Sequence, residues 1–330
     1  MSNALDTSTQ TRWREGLGWL RSLGGAFRVD CLPVSPLPRL HLIDGTYELF
    51  RAHFSPGPGR QSPEGQDIKG TAGLMGSLLM LLHDEAEGVS HVAVAFDNPI
   101  RSFRNALFAG YKSEEGVPPE LLAQFDLVEE AVRALGVCVW SMKDFEADDA
   151  LATAAARFRD ETSQVRLLTP DKDLSQCVVA DRVVQVDRMR ERVLDEAGVC
   201  AARGVPPGSV PDLLALVGDA ADGIPGLPGF GEKGAAALLN AYGHLDRIPA
   251  DAKDWSVRPR GADKLAATLR ERREDALLYR RLATLVTDVP DLAALPLEAL
   301  RWQGVPRAPF EAFCTRLGLE RLRARPKRWT

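Results

Sequence analysis

Nine carboxylates in this chain stand where the strands and helices of a folded domain are expected to begin or end. Two apolar runs lead directly into aspartate, a third is followed by aspartates within a few residues, and a helix start and a glycine-rich turn supply the others. In chain order the nine are Asp44, Asp97, Glu146, Asp148, Asp149, Asp171, Asp173, Asp219 and Asp222. Carboxylates held close together repel one another, so a cluster of this size requires a compensating cation.

The ligand atoms of such a cluster indicate which cation it would take. Sites made only of oxygen ligands, without His or Cys, favour Mg²⁺ or Mn²⁺ over Zn²⁺. Because Mg²⁺ retains several waters, nine acids suit two ions, with some carboxylates acting through water. Two ions roughly 3.5 to 4 Å apart stabilise the attacking and leaving oxygens in phosphodiester cleavage. The acids therefore predict a metal-dependent nuclease.

Strands of a mostly parallel sheet are the elements expected to position these acids. The apolar runs 40–43, 92–96 and 165–168 precede Asp44, Asp97 and the segment 169–173, respectively. Short apolar runs bounded by Gly, Pro and Asp are typical of buried parallel strands. Open α/β sheets bind ligands beyond the carboxyl ends of their strands. All three runs are therefore predicted to carry acids to one rim of the sheet.

A helix is predicted to begin near Glu146, because Ala147, Leu151, Ala154 and Phe158 recur at helical spacing. Acids in the first turn of a helix are also favoured by the helix dipole. This segment alone therefore has a simpler interpretation as an ordinary helix start. The predicted metal site depends on the whole set of acids.

A glycine-rich turn at residues 223–231 joins two more predicted helices, 211–217 and 232 to about 242. Glycines permit backbone conformations that other residues resist. A turn that leads into a helix N-terminus presents free N–H groups to a phosphate, and Lys233 adds a positive charge. A plain connection between two helices is the alternative interpretation.

In their order along the chain, these segments resemble the bacterial 5′-3′ exonucleases and flap endonucleases that form the amino-terminal part of DNA polymerase I. The resemblance covers about residues 40–319, and seven motifs in the family's order make it specific. They are Ile43-Asp44-Gly45, Phe96-Asp97, Ser102-Phe103-Arg104, Gly110-Tyr111-Lys112, Glu146-Ala147-Asp148-Asp149, Thr169-Pro170-Asp171-Lys172-Asp173-Leu174, and Gly218-Asp219 through Pro228-Gly229-Phe230-Gly231-Glu232-Lys233.

The resemblance implies a role for each acid and for three residues near them. One ion would be surrounded by Asp44, Asp97, Glu146, Asp148 and Asp149. The second would be surrounded by Asp171, Asp173, Asp219 and Asp222. Arg104 and Lys112 would reach the scissile phosphate, with Tyr111 beside them. Positive charge at that position stabilises the charge that grows in the transition state.

For DNA binding, the resemblance implies a helix-hairpin-helix element that holds the duplex backbone by shape and charge rather than by base sequence. Its candidate contacts are Gly229, Gly231 and Lys233, with K⁺ bound by loop carbonyls, and Arg51 is a further candidate DNA contact. Three residues depart from the family pattern, which leaves the level of activity less determined than the fold. Gly223 replaces Asn, Phe108 replaces Tyr and Glu115 replaces Arg.

Composition agrees with this interpretation once the acids are set aside. The formal net charge of −5 becomes +4 without the nine proposed metal-site acids, because a metal site can dominate the net charge. Five scattered cysteines without a Cys-x-x-Cys pair predict reduced thiols in a cytoplasmic protein. No run is long enough and free enough of charge to cross a membrane.

We predict an α/β protein in three parts. Residues 1–38 form an extension that is predicted to be disordered or loosely docked. Two alternatives are that it forms a partner-binding helix and that it results from an early start-codon assignment. Residues 39–205 form the catalytic domain, with a mostly parallel, PIN-like central sheet and a helical arch. Residues 206–330 form an α-helical domain that contains the helix-hairpin-helix element.

The predicted function is that of a standalone, divalent-metal-dependent 5′ nuclease. Its expected substrates are DNA with 5′ flaps or ends and RNA primers during replication and repair, and a separate DNA polymerase is its expected partner. The alternative is a non-cleaving, structure-specific DNA-binding protein that retains the fold. Loss of metal ligands would favour that alternative, and this chain has all nine acids.

Overall fold

The computed structural model describes residues 37–330, so nearly all of the predicted extension at residues 1–38 lies outside the described residues. Six strands are present in residues 37–330: β1 (Arg39–Asp44), β2 (His91–Asp97), β3 (Cys138–Met142), β4 (Gln164–Leu168), β5 (Val183–Asp187) and β6 (Arg192–Leu194).

The same residues form thirteen α-helices. The first six are α1 (Gly45–Phe54), α2 (Lys69–Leu82), α3 (Phe103–Leu107), α4 (Pro119–Leu122), α5 (Phe125–Ala134) and α6 (Ala147–Phe158). The others are α7 (Glu196–Arg203), α8 (Val210–Val217), α9 (Glu232–Tyr242), α10 (Ala262–Glu271), α11 (Arg273–Ala283), α12 (Arg307–Arg316) and α13 (Glu320–Arg323). None of the helices among the described residues combines the length and the apolar character needed to span a membrane.

The strands form one sheet in the order β3-β2-β1-β4-β5-β6, and every neighbouring pair is parallel except β5 and β6. The predicted mostly parallel sheet is therefore confirmed. Strand β1 lies between β2 and β4, so the strand order changes direction at β1. Crevices at such positions, beyond the carboxyl ends of the strands, are where open α/β sheets bind ligands.

Side chains of the central strands alternate between two cores, as the two-residue repeat of a strand requires. Val94 and Phe96 belong to the core that contains α2 and α5. Ala93 and Ala95 belong to the opposite core, which contains the alanine-rich helix α6. Small side chains on both surfaces let α6 pack closely on the sheet, and this packing holds the acids at the start of α6 near the strand ends.

A layer of helices, α8 to α11, has a hydrophobic core of its own. Helices α8 and α9 flank the glycine-rich turn, so both helices predicted there are confirmed. After α11 the chain returns to the sheet. Leu285 and Leu300 join the core under α6, while Phe310 and Leu322 join the core next to α2. Residues after about 284 therefore cover the sheet instead of extending the helical layer.

Candidate active site

The ends of β1 and β2 hold two of the predicted acids in fixed positions. Asp44 caps α1 and accepts hydrogen bonds from the Tyr47 N–H at 2.8 Å and from the Thr169 hydroxyl at 3.0 Å. Asp97 accepts the Ala147 N–H at 2.7 Å. A carboxylate has about four acceptor positions. Both groups therefore keep lone pairs for further ligands.

The start of α6 contributes three acids with different surroundings. Glu146 accepts a hydrogen bond from the Ser102 hydroxyl at 2.6 Å and lies 3.0 Å from the Lys112 ammonium. Asp148 is buried and receives no hydrogen bond from any of residues 37–330. Asp149 is completely buried. Glu146 and Asp149 are thus compensated by protein groups, whereas Asp148 is not.

A cleft of about 310 Å³ opens beyond the strand ends, and five segments of the chain supply its charged lining. The lining includes Asp44, Asp97, Asp148, Asp171 and Lys112. The resemblance had grouped Asp171 with the second ion, but here its carboxylate borders the same cleft as the first group. Four acids and one cation in one cleft leave an excess of negative charge that divalent cations would balance.

Arg104 and Asp149 form a buried ion pair, an arrangement that differs from the contacts the family resemblance implied for them. Two guanidinium nitrogens of Arg104 donate to the two Asp149 oxygens, each at 2.7 Å. Arg104 also donates to the carbonyls of Leu282 at 2.8 Å and Thr284 at 3.0 Å. Its side chain is 0% exposed, so Arg104 has no surface with which to reach a phosphate.

The Asp149 carboxylate has no free lone pair for a metal. Besides Arg104, its oxygens accept the Glu146 N–H at 3.0 Å and the Val286 N–H at 2.9 Å. Four hydrogen bonds use the acceptor capacity of a carboxylate. In this structure Asp149 therefore positions Arg104 and the start of α6.

Lys112 and Tyr111 lie between two groups of acids. The Lys112 ammonium is 3.0 Å from Glu146 and 3.1 Å from Asp222, and the Tyr111 hydroxyl donates to Glu146 at 3.2 Å. Burial alone would lower the pKa of Lys112, but Glu146 and Asp222 raise it well above its ordinary value. The ammonium remains charged, and the Lys112 side chain is 24% exposed and lines the cleft, so it is available to a phosphate there.

A second group of acids comes from the segment after β4 and from the turn after α8. Oxygens of Asp173, Asp219 and Asp222 lie within 4.8 Å of one another, and all three residues are buried. One Asp173 oxygen is buried without any hydrogen-bond partner among the described residues. A buried unpaired carboxylate oxygen is costly unless a cation completes it. These residues therefore fit a bound divalent ion.

Charge crowding alters the protonation of the acids around the cleft. Burial, with the neighbouring carboxylates of Asp97 and Asp171, raises the pKa of Asp44 to about 7. Burial also raises the pKa of Asp148 and Asp173 well above the ordinary value. Burial would raise the pKa of Glu146 too, but Lys112 and Arg104 lower it to about 2.

These shifts predict how the stability of the metal-free protein depends on pH. Raised pKa values mean that the folded state binds more protons than the unfolded chain between about pH 4 and about pH 7, so stability falls as the pH rises through this range. In a chelator, we expect the melting temperature to decrease from about pH 5.5 to about pH 8. Saturating Mg²⁺ should reduce that decrease. A melting temperature that rises with pH in the chelator would contradict the crowding of these acids.

Gly223, one of the departures from the family pattern, is explained by its contact with the segment before Tyr111. Its φ angle is +74°, and a Cβ atom at this position would overlap the carbonyl oxygen of Gly110. Next to this contact, the Lys112 N–H donates to the Asp222 carbonyl at 3.1 Å. The absence of a side chain at residue 223 thus lets the turn after α8 approach Tyr111 and Lys112.

Gly223→Ala should destabilise the protein by about 1–3 kcal/mol, because the added methyl group must displace backbone. Cleavage should decrease as well, since the displaced segment carries Lys112. Gly229→Ala is a matched control for stability, because Gly229 has a φ of +85° but no atom nearer than 3.7 Å to an added Cβ. A side chain is strained by the positive φ angle at both positions, but it meets backbone atoms only at residue 223. The difference between the melting temperatures of the two variants therefore measures the effect of the steric clash alone. Equal destabilisation of the two would contradict the role of the contact.

The residues predicted to hold DNA lie in two different places. Gly229, Gly231 and Lys233 are exposed at the end of the glycine-rich turn, and Gly231 caps α9. The first N–H groups of a helix have no partner within the helix. They are therefore available to a phosphate here. Arg51 lies elsewhere, on α1, where it pairs with the buried carboxylate of Glu48.

Sequence reasoning missed several polar residues that orient the acids. Thr169 donates to Asp44, and the Asp97 N–H donates to the Thr46 hydroxyl at 2.8 Å. The Lys172 ammonium lies 2.8 Å from Asp219. Thr169 and Lys172 belong to the motif at residues 169–174, next to two of the predicted acids. That position was the signal from which their role could have been predicted. Thr46 had no such signal.

Comparison with known proteins places these features in one family. Residues 39–204 match the model of the N-terminal resolvase-like domain of 5′-3′ exonucleases, and residues 205–308 match the model of their C-terminal SAM fold. The 5′-3′ exonuclease of Aquifex aeolicus is 31% identical over 251 residues, which cover 76% of this chain and 82% of that protein.

Two more similarities bear on the fold and on the length of the chain. DNA polymerase I of Rhizobium leguminosarum is 37% identical over 268 residues, which cover 78% of this chain but only 26% of that protein. The flap endonuclease of bacteriophage T5, solved as a pseudo-enzyme–product complex with DNA and metal ions, superposes with a TM-score of 0.56. At 17% identity over 86% of this chain and 99% of that one, it is similar in fold.

Proposed function

The chain belongs to the 5′-3′ exonuclease family, and from this we propose that its cleft hydrolyses phosphodiester bonds of DNA at 5′ ends and 5′ flaps. The observation that carries the proposal is a group of seven carboxylates that form no pair with arginine in the described residues. They are Asp44, Asp97, Asp148, Asp171, Asp173, Asp219 and Asp222. The T5 flap endonuclease, which has a similar fold, was solved in complex with DNA and metal ions. This similarity supports the proposal.

Two groups of ligands for divalent ions are proposed within this set. Asp44, Asp97 and Asp148 would hold one ion, and Asp173, Asp219 and Asp222 the other, with Asp171 between the groups. Mg²⁺ or Mn²⁺ suits these oxygen ligands. When bound, two such ions supply Lewis-acid stabilisation of the attacking and leaving oxygens.

The protein's own groups have separate tasks in this proposal. Lys112 places a permanent positive charge at the cleft, where it would stabilise the extra negative charge of a phosphate in the transition state. Tyr111 is buried, and burial raises the pKa of its hydroxyl. It therefore remains a hydrogen-bond donor that holds Glu146. Glu146 in turn fixes Lys112. Arg104 and Asp149 position the start of α6, which carries Asp148.

A cleavage assay distinguishes this function from the alternative of a non-cleaving DNA-binding protein. A duplex with a 5′-labelled flap is incubated with the purified protein in Mg²⁺, in Mn²⁺ and in a chelator. Cleavage in either metal but not in the chelator supports the proposal. Binding of the flap without cleavage in either metal would favour the alternative.

Lys233→Ala should weaken binding to all duplex sequences to a similar extent. Loss of one phosphate contact lowers the slope of log K against log salt concentration by about 0.9. Binding titrations at several salt concentrations measure this slope. Lys253→Ala is the control, because Lys253 is 75% exposed in the same helical layer and lies 4.0 Å from Asp251. A loss that depends on sequence would indicate that the element reads bases.

Three further predictions complete the proposal. K⁺ would bind carbonyls of the glycine-rich turn, RNA primer ends would be substrates alongside DNA, and a separate DNA polymerase would act on the same DNA. The cytoplasmic location expected from the cysteine pattern also stays a prediction. The division at residue 205 agrees with the residues that the two family models match, and it too is proposed.

A further inference from the structure

Gln185 is a buried polar residue between the buried valines of β5. It is the third residue of the strand, and its side chain is only 1% exposed. Val183, on the same side of the sheet, packs in the core under α6. A buried amide is costly unless its polar atoms have hydrogen-bond partners. The partners of Gln185 therefore show what a polar side chain does at this position.

The Gln185 amide holds the backbone of residues 169–173, the segment that follows β4. Its Nε2 group donates to the carbonyls of both Thr169 and Asp171, the first at 3.1 Å. An amide nitrogen has two hydrogens to donate, so both are used. Neither carbonyl accepts another hydrogen bond within the described part of the chain. Gln185 thus fixes the segment at two points of its backbone.

The segment held by Gln185 carries acids of both groups. Asp171 borders the cleft, and Asp173 belongs to the second group. The Asp173 N–H donates to the Asp171 carboxylate at 2.9 Å. The Thr169 hydroxyl accepts the Asp171 N–H at 3.1 Å and donates to Asp44 at 3.0 Å. A shift of this backbone would therefore displace carboxylate oxygens in both groups.

Ser175 and Arg203 determine the orientation of the Gln185 amide. The Ser175 hydroxyl donates to Gln185 Oε1 at 2.7 Å and accepts the Arg203 Nε–H at 3.2 Å. A reversed amide would place Oε1 against two carbonyl oxygens, which have no hydrogen to donate. Hydrogen bonds in such a chain also strengthen one another. The chain from Arg203 to Gln185 therefore favours the orientation in which Nε2 faces residues 169–173.

We propose that Gln185 is a positioning residue for the divalent-ion site. It holds residues 169–173 so that the carboxylates of Asp171 and Asp173 keep their places relative to Asp44, and Ser175 keeps the amide in the orientation that this requires. The inference rests on the proposed function for the presence of the ions. Substitution of residues that orient metal ligands without contacting the metal weakens metal binding or activity by roughly 10- to 100-fold.

The test measures metal binding directly, so that its result does not depend on cleavage. Mn²⁺ is titrated into the protein without DNA, and electron paramagnetic resonance measures the free ion. Gln185→Met removes both donors and nearly keeps the length of the side chain, and we expect about tenfold weaker Mn²⁺ binding. Ser175→Ala should weaken Mn²⁺ binding by a smaller factor, because the amide is still present but can rotate.

Gln124→Met is the matched control for a buried glutamine. Gln124 is 0% exposed, donates to the Glu120 carbonyl at 3.1 Å and accepts the Thr71 N–H at 3.0 Å. None of the nine acids is among its hydrogen-bond partners. We expect this variant to lower the melting temperature, as Gln185→Met does, and to leave the Mn²⁺ affinity unchanged. Equal weakening of Mn²⁺ binding in the control would overturn the inference.

The metal dependence of cleavage distinguishes positioning from direct ligation. In Gln185→Met, the Mg²⁺ concentration that gives half-maximal cleavage should rise about tenfold, and most of the rate should return at saturating Mg²⁺. In Asp173→Asn the rate should stay low at saturating Mg²⁺, because the charged ligand itself is missing. A lower melting temperature of Gln185→Met with an unchanged Mn²⁺ affinity would reduce Gln185 to a structural role and overturn the inference.

A double variant tests whether Ser175 acts through Gln185. In that case Ser175→Ala causes no further loss of Mn²⁺ affinity when Gln185 is already methionine. Additive losses would overturn this connection. If Gln185→Met does not fold, Ser175→Ala tests the inference by itself, and an Mn²⁺ affinity equal to that of the unmodified protein would overturn it.

Failure of the proposed function would be recognised separately. In that case flapped DNA is not cleaved in Mg²⁺ or Mn²⁺, while weaker Mn²⁺ binding by Gln185→Met still supports the positioning role. If only the positioning inference is wrong, the unmodified protein cleaves, and Gln185→Met has the same Mn²⁺ affinity and the same Mg²⁺ dependence of cleavage as the unmodified protein.

Discussion

Asp173→Asn is expected to reduce cleavage by about 1,000-fold or more while leaving duplex binding nearly unchanged. The substitution keeps the shape of the side chain but removes the charge from an oxygen that has no protein partner. A metal ion contributes several kcal/mol to the stabilisation of the transition state, and each 1.4 kcal/mol is tenfold in rate. Single-turnover cleavage of a flap and binding titrations measure the two effects.

The same variant should be more stable than the unmodified protein when metal is absent. Asp173 lies among Asp171, Asp219 and Asp222, and burial with their charge raises its pKa, so removing its charge relieves repulsion. Added Mg²⁺ should then increase the melting temperature less than it does in the unmodified protein. Asp160→Asn is the control, because Asp160 is 81% exposed. Near-normal cleavage by Asp173→Asn would contradict the second metal group.

Arg104→Met is expected to lower the free energy of unfolding by about 3–5 kcal/mol, because it leaves the buried carboxylate of Asp149 without its partner. The carbonyls of Leu282 and Thr284 would lose their donors as well. Denaturant unfolding measures the effect. Arg104→Lys retains the charge but not the paired hydrogen bonds, so its loss should be smaller.

Arg101→Met is the matched control for this prediction, since Arg101 is exposed just before the same helix. The experiment distinguishes the structural role of Arg104, as the buried partner of Asp149, from the contact with the scissile phosphate that the family resemblance implied. If Arg104→Met keeps full stability but loses cleavage, the guanidinium acts on the substrate and the buried pair is not its main function.

Local patterns in the sequence were sufficient to predict three of the six described strands, the mostly parallel character of the sheet and the candidate acids. Runs of apolar residues that end at aspartate identify parallel strands because such strands are buried on both faces. The acids therefore had to lie at the carboxyl ends. The helices around the glycine-rich turn were predictable for a similar reason, since their apolar residues repeat at helical spacing. These signals depend only on residues close together in the chain.

The partners of each charged residue were decided only by the tertiary structure. Arg104 and Asp149 are 45 positions apart, and Arg104 also meets carbonyls some 180 positions away. Whether a charge faces a cleft or a buried partner depends on such distant contacts, which no local pattern encodes. Arg325 likewise reaches Gly76 of α2 only after the chain has crossed the helical layer and returned to the sheet. Sequence by itself determined which residues could do chemistry, and the packing of distant segments decided which of them are free to do it.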